Sequence, residues 1–294
     1  MEINKEQCDL INNQLKSKMR SLKINPTLNV FINFVILFLV GIPVLLFAFL
    51  GEPKERGFYC NDDSLQYPLL NSTISTTLLI ACGISIPVVF ILVVELLRDL
   101  PLDYDSVFIC KRRIPARLAA ISSSIGFFLF GCACIQVVTD VTKYSIGRLR
   151  PHFHAACQTN WTSVNCTKDN HSLYIQSFTC PNTDHHVVRD ARLSFFSGHA
   201  SFSAFTMIYL IVYLEHKIGR NQPVLLKPFI QFLCLLLAIY TSISRVFDYH
   251  HHWSDVLFGF MAGATMALVF TIYVSRLIPT KLRKEKVTEM TLNP

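Results

Sequence analysis

The sequence predicts an all-α protein: a six-transmembrane helix bundle whose polar residues gather at the non-cytoplasmic ends of the helices. Three observations predict it. Hydrophobic residues make up 51% of the 294 residues, charged residues 16%, and the mean hydropathy is +0.39. Six apolar stretches recur, each near the ~20 residues a helix needs to cross a hydrocarbon core. Lys and Arg concentrate in alternate connecting segments, the charge bias of membrane topology. This composition excludes one or two ordinary soluble domains. The formal net charge of +7 does not point to nucleic acid, because the basic residues are spread between apolar spans.

Residues 1–27 are polar, carry Lys5, Lys16, Lys18, Arg20 and Lys23, and read as a cytoplasmic tail. The first span, Leu28–Leu50, is too long for the apolar region of a cleaved signal peptide and is expected to stay as an anchor. The second and third are Ile74–Leu97 and Ala116–Val138. Pro43 and Pro87 fall inside the first two, where proline removes a helical hydrogen bond and is expected to kink the axis. The fourth span is Phe195–Leu214. The fifth, Leu225–Ser244, is expected to be the weakest, since Lys227 sits near one end and must snorkel. The sixth, Val256–Ile278, holds Gly259 and Gly263, a GxxxG pair suited to helix packing rather than chemistry. Residues 28–278 thus form one membrane domain, with outer connections at about 51–73, 143–193 and 245–252. Residues 279–294 form a second cytoplasmic tail that matches no lipidation or retention signal.

Six spans return the chain to its starting side. With both termini in the cytoplasm, 18 of the 27 Lys and Arg are cytoplasmic, as the positive-inside rule requires. The four N-x-S/T acceptors, Asn71, Asn160, Asn165 and Asn170, all fall on the opposite side, where glycosylation occurs. So do Cys60, Cys157, Cys166 and Cys180, in a compartment where disulfides persist. Four cysteines allow three pairings, and all three stay open. The other six read as small membrane or cytosolic thiols.

Three polar clusters share that non-cytoplasmic side. Lys143 to Pro151 (KYSIGRLRP) follow the third span, Ser194 to His199 (SFFSGH) open the fourth, and Ser244 to Asp255 (SRVFDYHHHWSD) join the fifth to the sixth. Lys143, Arg150 and Arg245 supply fixed positive charge. Arginine grips phosphate oxygens with a planar fork, and lysine adds a point charge. Ser197 and Gly198 sit where a helix begins, with unpaired N–H groups and a dipole that favours an anion. Gly198 places no side chain between backbone and ligand. The set suits a phosphate and its pentacoordinate transition state. Each feature alone has a plainer reading: interfacial charges meet headgroups, a Ser-Gly pair caps a helix, and a histidine run beside Trp253 snorkels. Their joint placement on one face favours the phosphate site.

If the sixth helix begins near the histidine run, His251 and Asp255 are four apart and share a helix face. Asp255 then accepts the Nδ1 proton of His251 and leaves Nε2 free to attack. His252, three from Asp255, is the rival, and His250 is expected to point elsewhere. His199 is the candidate to protonate the leaving alcohol and then activate water. A His and carboxylate cluster can also bind metal. Three nearby cations would repel a divalent ion, so no metal and no other cofactor is expected.

These residues resemble the three motifs of the lipid phosphate phosphatases, or phospholipid phosphatases, of the type 2 phosphatidate phosphatase superfamily. K-x6-RP is matched by Lys143 through Arg150 and Pro151. PSGH is matched by Phe196-Ser197-Gly198-His199, with Phe196 in place of proline. SR-x5-H-x3-D is matched by Ser244, Arg245, His251 and Asp255, and its spacing selects His251 over its neighbours. The wording KYSIGRLRPHF and HHWSDV is similar to that of the animal plasma-membrane enzymes.

The resemblance implies roles. His251 is the nucleophile, carrying a phosphohistidine; Asp255 orients it; His199 is general acid, then base. Lys143, Arg150, Ser197, Gly198 and Arg245 hold the phosphoryl group, and no cofactor is needed. It further implies lipid phosphate substrates within the bilayer: phosphatidate, lysophosphatidate, sphingosine 1-phosphate and ceramide 1-phosphate. The site faces the cell exterior in the plasma membrane, or the lumen of the endoplasmic reticulum or Golgi. Self-association into a homo-oligomer stays open. The rival readings are a lipid phosphotransferase of similar design, a lumenal sugar phosphatase with more spans, and a non-enzymatic scaffold with degraded motifs. Here every charged or histidine motif position is intact.

Overall fold

The computed structural model describes residues 26–98, 107–109, 112–161, 164, 166, 173–219 and 223–274. Most of the two expected tails, Asn165, Asn170 and the last residues of the expected sixth span lie outside this set. The described chain is a helical bundle. Its helices are α1 (Pro26–Leu50), α2 (Thr76–Leu97), α3 (Ala116–Ile146), the short α4 (Phe153–Cys157) and α5 (His185–Asp190), then α6 (Gly198–Lys217), α7 (Leu226–Phe247) and α8 (Trp253–Val269). A π-helical turn, Phe270–Val274, continues α8.

Helix α6 is the axis of the bundle and packs against α2, α3, α7 and α8, while α1 lies on the outer side of α3. Among the described residues five helices are long and apolar enough to cross a membrane: α1, α2, α3, α7, and α8 with its π turn. The sixth, α6, is more polar, with His199 in its first turn, Glu215, His216 and Lys217 at its end and three Ser and Thr hydroxyls between, and its position explains why. Ser201, Ser203 and Thr206 are buried inside the protein rather than against lipid. Ser203 and Thr206 return their hydroxyls to the helix's own carbonyls of Ala200 and Phe202, at 3.3 and 3.0 Å. A helix sheathed by others need not be apolar to sit at membrane depth. The expectation that the fifth span is weakest is therefore corrected. Helix α7 qualifies, with Lys227 paired to Glu215 at 3.0 Å, and the least apolar span is the central fourth.

Other expected boundaries shift in ways that matter for the site. Helix α3 runs on to Ile146, so Lys143 projects from its last turn instead of following it. Gly147 ends it at φ 60°, a left-handed conformation that side chains resist, and a Cβ there would meet the Lys54 carbonyl oxygen at 1.9 Å. Helix α7 runs on to Phe247, which puts Ser244 and Arg245 in its last turn. The glycine pair behaves as expected. A Cβ on Gly259 would lie 2.6 Å from the Ser197 carbonyl oxygen, and one on Gly263 would lie 2.1 Å from that of Ser201. Only glycine lets α8 approach α6 so closely.

Two small sheets interrupt the helices: β1 (Phe58–Tyr59), β2 (Val107–Ile109), β3 (Arg112–Ile114) and β4 (Tyr174–Ile175), with β1 antiparallel to β4 and β2 to β3. The β1–β4 ribbon belongs to a second apolar core at the site end of the bundle, built on Phe58, Leu65, Leu149 and Phe153. Disulfides Cys60–Cys166 and Cys157–Cys180 staple this cap, which selects one of the three open pairings.

Candidate active site

The three clusters meet at one end of the bundle, joined first through the backbone. Ser194 N–H donates to the Arg148 carbonyl at 2.9 Å, and Arg150 N–H to that of Ala191 at 2.9 Å. Ser197 N–H donates to the Asp255 carbonyl at 3.0 Å. Ser197 is the N-cap of α6, its hydroxyl accepting from Ala200 N–H at 3.4 Å, so the helix begins where its sequence announced. The Lys143 ammonium faces that start: a Cβ added to Gly198 would lie 3.6 Å from Lys143 Nζ. The first turn of α6 thus faces a cation at contact distance.

Arginines close the other sides. Arg150 is buried, donating to Asp190 at 2.7 Å and lying 3.3 Å from His250 Nδ1. Its Nε is buried with no hydrogen-bond partner among the described residues. An orphaned guanidinium donor is a costly feature that an anionic ligand would satisfy. Arg245 is 1% exposed and donates to Asp248 at 2.6 Å, Ser72 at 3.2 Å and Ser244 at 3.2 Å. Asp248 in turn accepts from the Thr73 N–H and hydroxyl, at 2.8 and 2.7 Å. The next residue, Ile74, offers its carbonyl to His199 Nε2 at 3.0 Å. A carbonyl only accepts, so Nε2 carries the proton and Nδ1 is the nitrogen free for exchange.

The relation of His251 to Asp255 differs from the expected one. Helix α8 begins at Trp253 with His252 as N-cap, so His251 lies before the helix and shares no face with Asp255. Asp255 instead reaches back as the N3 residue of a capping box, accepting from His252 N–H at 3.1 Å and His252 Nδ1 at 3.1 Å. It also accepts from Ser194 Oγ at 2.6 Å and from Arg148. His251 Nδ1 stands 3.9 Å from Asp255 Oδ2, beyond hydrogen-bond length, and 3.5 Å from Ser194 Oγ.

Burial, reinforced by the charges of Arg150 and Lys143, holds the His251 imidazole well below the ordinary histidine range despite Asp255. It is neutral at pH 7, as a nucleophile must be. Burial and then Arg150 push His250 down to about 4. Burial opposes ionisation of Asp190, but Arg150 and Lys143 outweigh it and keep that carboxyl below its usual range.

The structure thus gathers Lys143, Arg150, Ser197, Gly198, His199, Arg245, His251 and Asp255 at one end. Other residues were not expected there. His250 does not point away: it bridges Arg150 and Ser72, with Nε2 3.0 Å from the Ser72 hydroxyl. Ser194, Arg148 and Asp248 lie within the quoted clusters, yet spacing alone assigned them nothing. Asp190 and Thr73 lie outside the clusters and carried no signal. Asn71 and Asn160 are exposed in segments that belong to the same end. Among the described residues no group of three His, Cys, Asp or Glu is placed to hold a metal ion.

Residues 124–279, which contain all three clusters, match the PAP2 superfamily. The chain belongs to the PAP2 superfamily. It is 38% identical over 261 residues to phospholipid phosphatase 1 of Rattus norvegicus, covering 87% of this chain and 89% of that protein. Phospholipid phosphatase 2 of Mus musculus is 38% identical over 246 residues, 84% of this chain and 86% of its own. That of Homo sapiens is 37% identical, over 84% and 82%. No solved structure matches the chain.

Proposed function

We propose that this protein is an integral-membrane lipid phosphate phosphatase that hydrolyses phosphate monoesters of lipids through a phosphohistidine on His251. The observation that carries the reading is the convergence of Lys143, Arg150 and Arg245 on the start of α6 and His251, with an orphaned Arg150 donor and a neutral His251. The names of the relatives support a phospholipid phosphatase; phosphatidate, lysophosphatidate, sphingosine 1-phosphate and ceramide 1-phosphate are the proposed substrates.

The chemistry balances in two displacements. Lys143, Arg150, Arg245 and the first N–H groups of α6 hold the phosphoryl oxygens. With the phosphate dianion bound, His199 is protonated at Nδ1 as well as Nε2. Nε2 of His251 attacks phosphorus, the ester P–O bond breaks, and its electron pair leaves on the lipid alkoxide, which takes the Nδ1 proton of His199. His199 then takes a proton from water. The water oxygen attacks phosphorus, the N–P bond breaks, and inorganic phosphate departs. Asp255, held by Arg148, stabilises the charge that grows on the His251 ring. No step draws on a metal.

The proposed side is non-cytoplasmic, at the plasma membrane or, alternatively, in endoplasmic reticulum or Golgi. The positive-inside bias, the sequons Asn71, Asn160, Asn165 and Asn170, and the two disulfides beside the site support it. The test is phosphate release from lysophosphatidate by purified protein in EDTA, and by intact expressing cells given the substrate externally. Activity in both is expected, with loss in His251→Ala. Activity abolished by EDTA, or retained by His251→Ala, would overturn the mechanism.

A further inference from the structure

Resting on the reading of His251 as nucleophile, we propose that Ser194 is a positioning residue of this reaction, the hydroxyl through which Asp255 orients His251. Asp255 is fully buried and already occupied. It accepts from Arg148, from the backbone and ring of His252 at 3.1 Å each, and from Ser194 Oγ at 2.6 Å. As the N3 residue of the α8 capping box it is committed to that helix start. At 3.9 Å it is too far from His251 Nδ1 to hold the ring directly.

Ser194 fills the interval. Its single hydroxyl hydrogen goes to Asp255, so towards His251, 3.5 Å away, it can only accept. That requires the ring proton on Nδ1 and leaves the lone pair on Nε2, the tautomer the attack needs. As Nε2 bonds to phosphorus the ring gains positive charge while keeping its Nδ1 proton. The Ser194 dipole, polarised by Asp255, meets that charge without any proton moving. Ser194 is itself 0% exposed and fixed by its N–H bond to the Arg148 carbonyl, so its hydroxyl is held in place between the two.

The test compares Ser194→Ala, Ser194→Cys and His251→Ala in the purified full chain. Readouts are kcat and KM for lysophosphatidate, the pH profile of kcat/KM, and the thermal midpoint. Ser194→Ala is expected to lower kcat about 10- to 100-fold, the usual effect of losing an orienting partner. KM and the thermal midpoint are expected to hold. The acid limb is expected to move to higher pH, because Asp255, freed of one donor, pulls a proton onto His251 more strongly. Ser194→Cys, near in volume and a weaker donor, is expected to fall between, and serves if the Ala variant does not fold. Wild-type kcat and pH profile in a folded Ser194 variant, with His251→Ala inactive, overturns the proposal alone. Activity in His251→Ala overturns the nucleophile reading instead.

Discussion

At the scale of single residues the site is an exercise in leaving things out. Gly198 faces Lys143, and an added methyl would meet Thr139 and Lys143 at 3.5 and 3.6 Å, ordinary contact distances. The fold therefore tolerates Gly198→Ala, which also favours a helix start over glycine. The methyl would sit where the phosphoryl group must approach the backbone N–H groups. Turnover is expected to fall on the order of 100-fold, the size of losing one oxyanion donor, with an unchanged melting curve. Steady-state kinetics beside thermal unfolding checks this; full turnover in a folded variant would place the phosphate elsewhere. Residues legible in the sequence were those whose type announces chemistry at a distance: Lys143, Arg150, Arg245, His199, His251. Asp190 and Ser194 were not, because a carboxylate or hydroxyl gains its role only from a partner that folding delivers. Asp190 meets Arg150 across 40 residues, and Ser194 meets Asp255 across 61.

At the scale of elements, two helix starts and two helix ends make the site, and glycines set their spacing. Gly263 faces backbone, so Gly263→Leu forces α8 away from α6 and loosens the Ser197–Asp255 link between them. The expected result is a lower thermal midpoint, by about 1–3 kcal/mol of overpacking, together with reduced turnover. Met261→Leu on the exposed face of the same helix is the control and should change neither. An intact midpoint in Gly263→Leu would contradict the close α6–α8 contact. Element lengths were legible from hydropathy, but two inferences from them were not sound. Lys227 near one end made the fifth span the expected weakest, whereas the central α6 is the polar one because its neighbours shield it. The four-residue spacing of His251 and Asp255 suggested a shared helical face, yet the helix begins after His251, and Asp255 is instead committed to a capping box with His252, three residues away.

Across the whole molecule, the membrane bundle carries a disulfide-stapled cap, and the cap holds histidines that resist charging. Burial pushes His154, packed against Phe58 and Trp161, down to about 4, as it does His250. A histidine depressed in the folded state favours folding fully above its unfolded value near 6.5. That contribution is lost as pH falls from there towards 4, since the unfolded chain takes up the proton first. Each accounts for roughly 3 kcal/mol at most over that window. Thermal unfolding in detergent is expected to drop steeply between pH 6.5 and 4, less so in His154→Phe. A flat profile would contradict the buried neutral histidines. The composition made the bundle legible, but the cap's pairing and ribbon depend on contacts 106 residues apart that no local pattern encodes.

The most direct measurement is to quench the enzyme during turnover of lysophosphatidate labelled in its phosphate and map the label by peptide sequencing. An acid-labile phosphohistidine at His251, absent from His251→Ala and still present in His252→Ala, is the expected result. Label on His252 or on any other residue, or turnover without any trapped phosphohistidine when hydrolysis of the intermediate is slowed, would contradict a covalent histidine mechanism at this site.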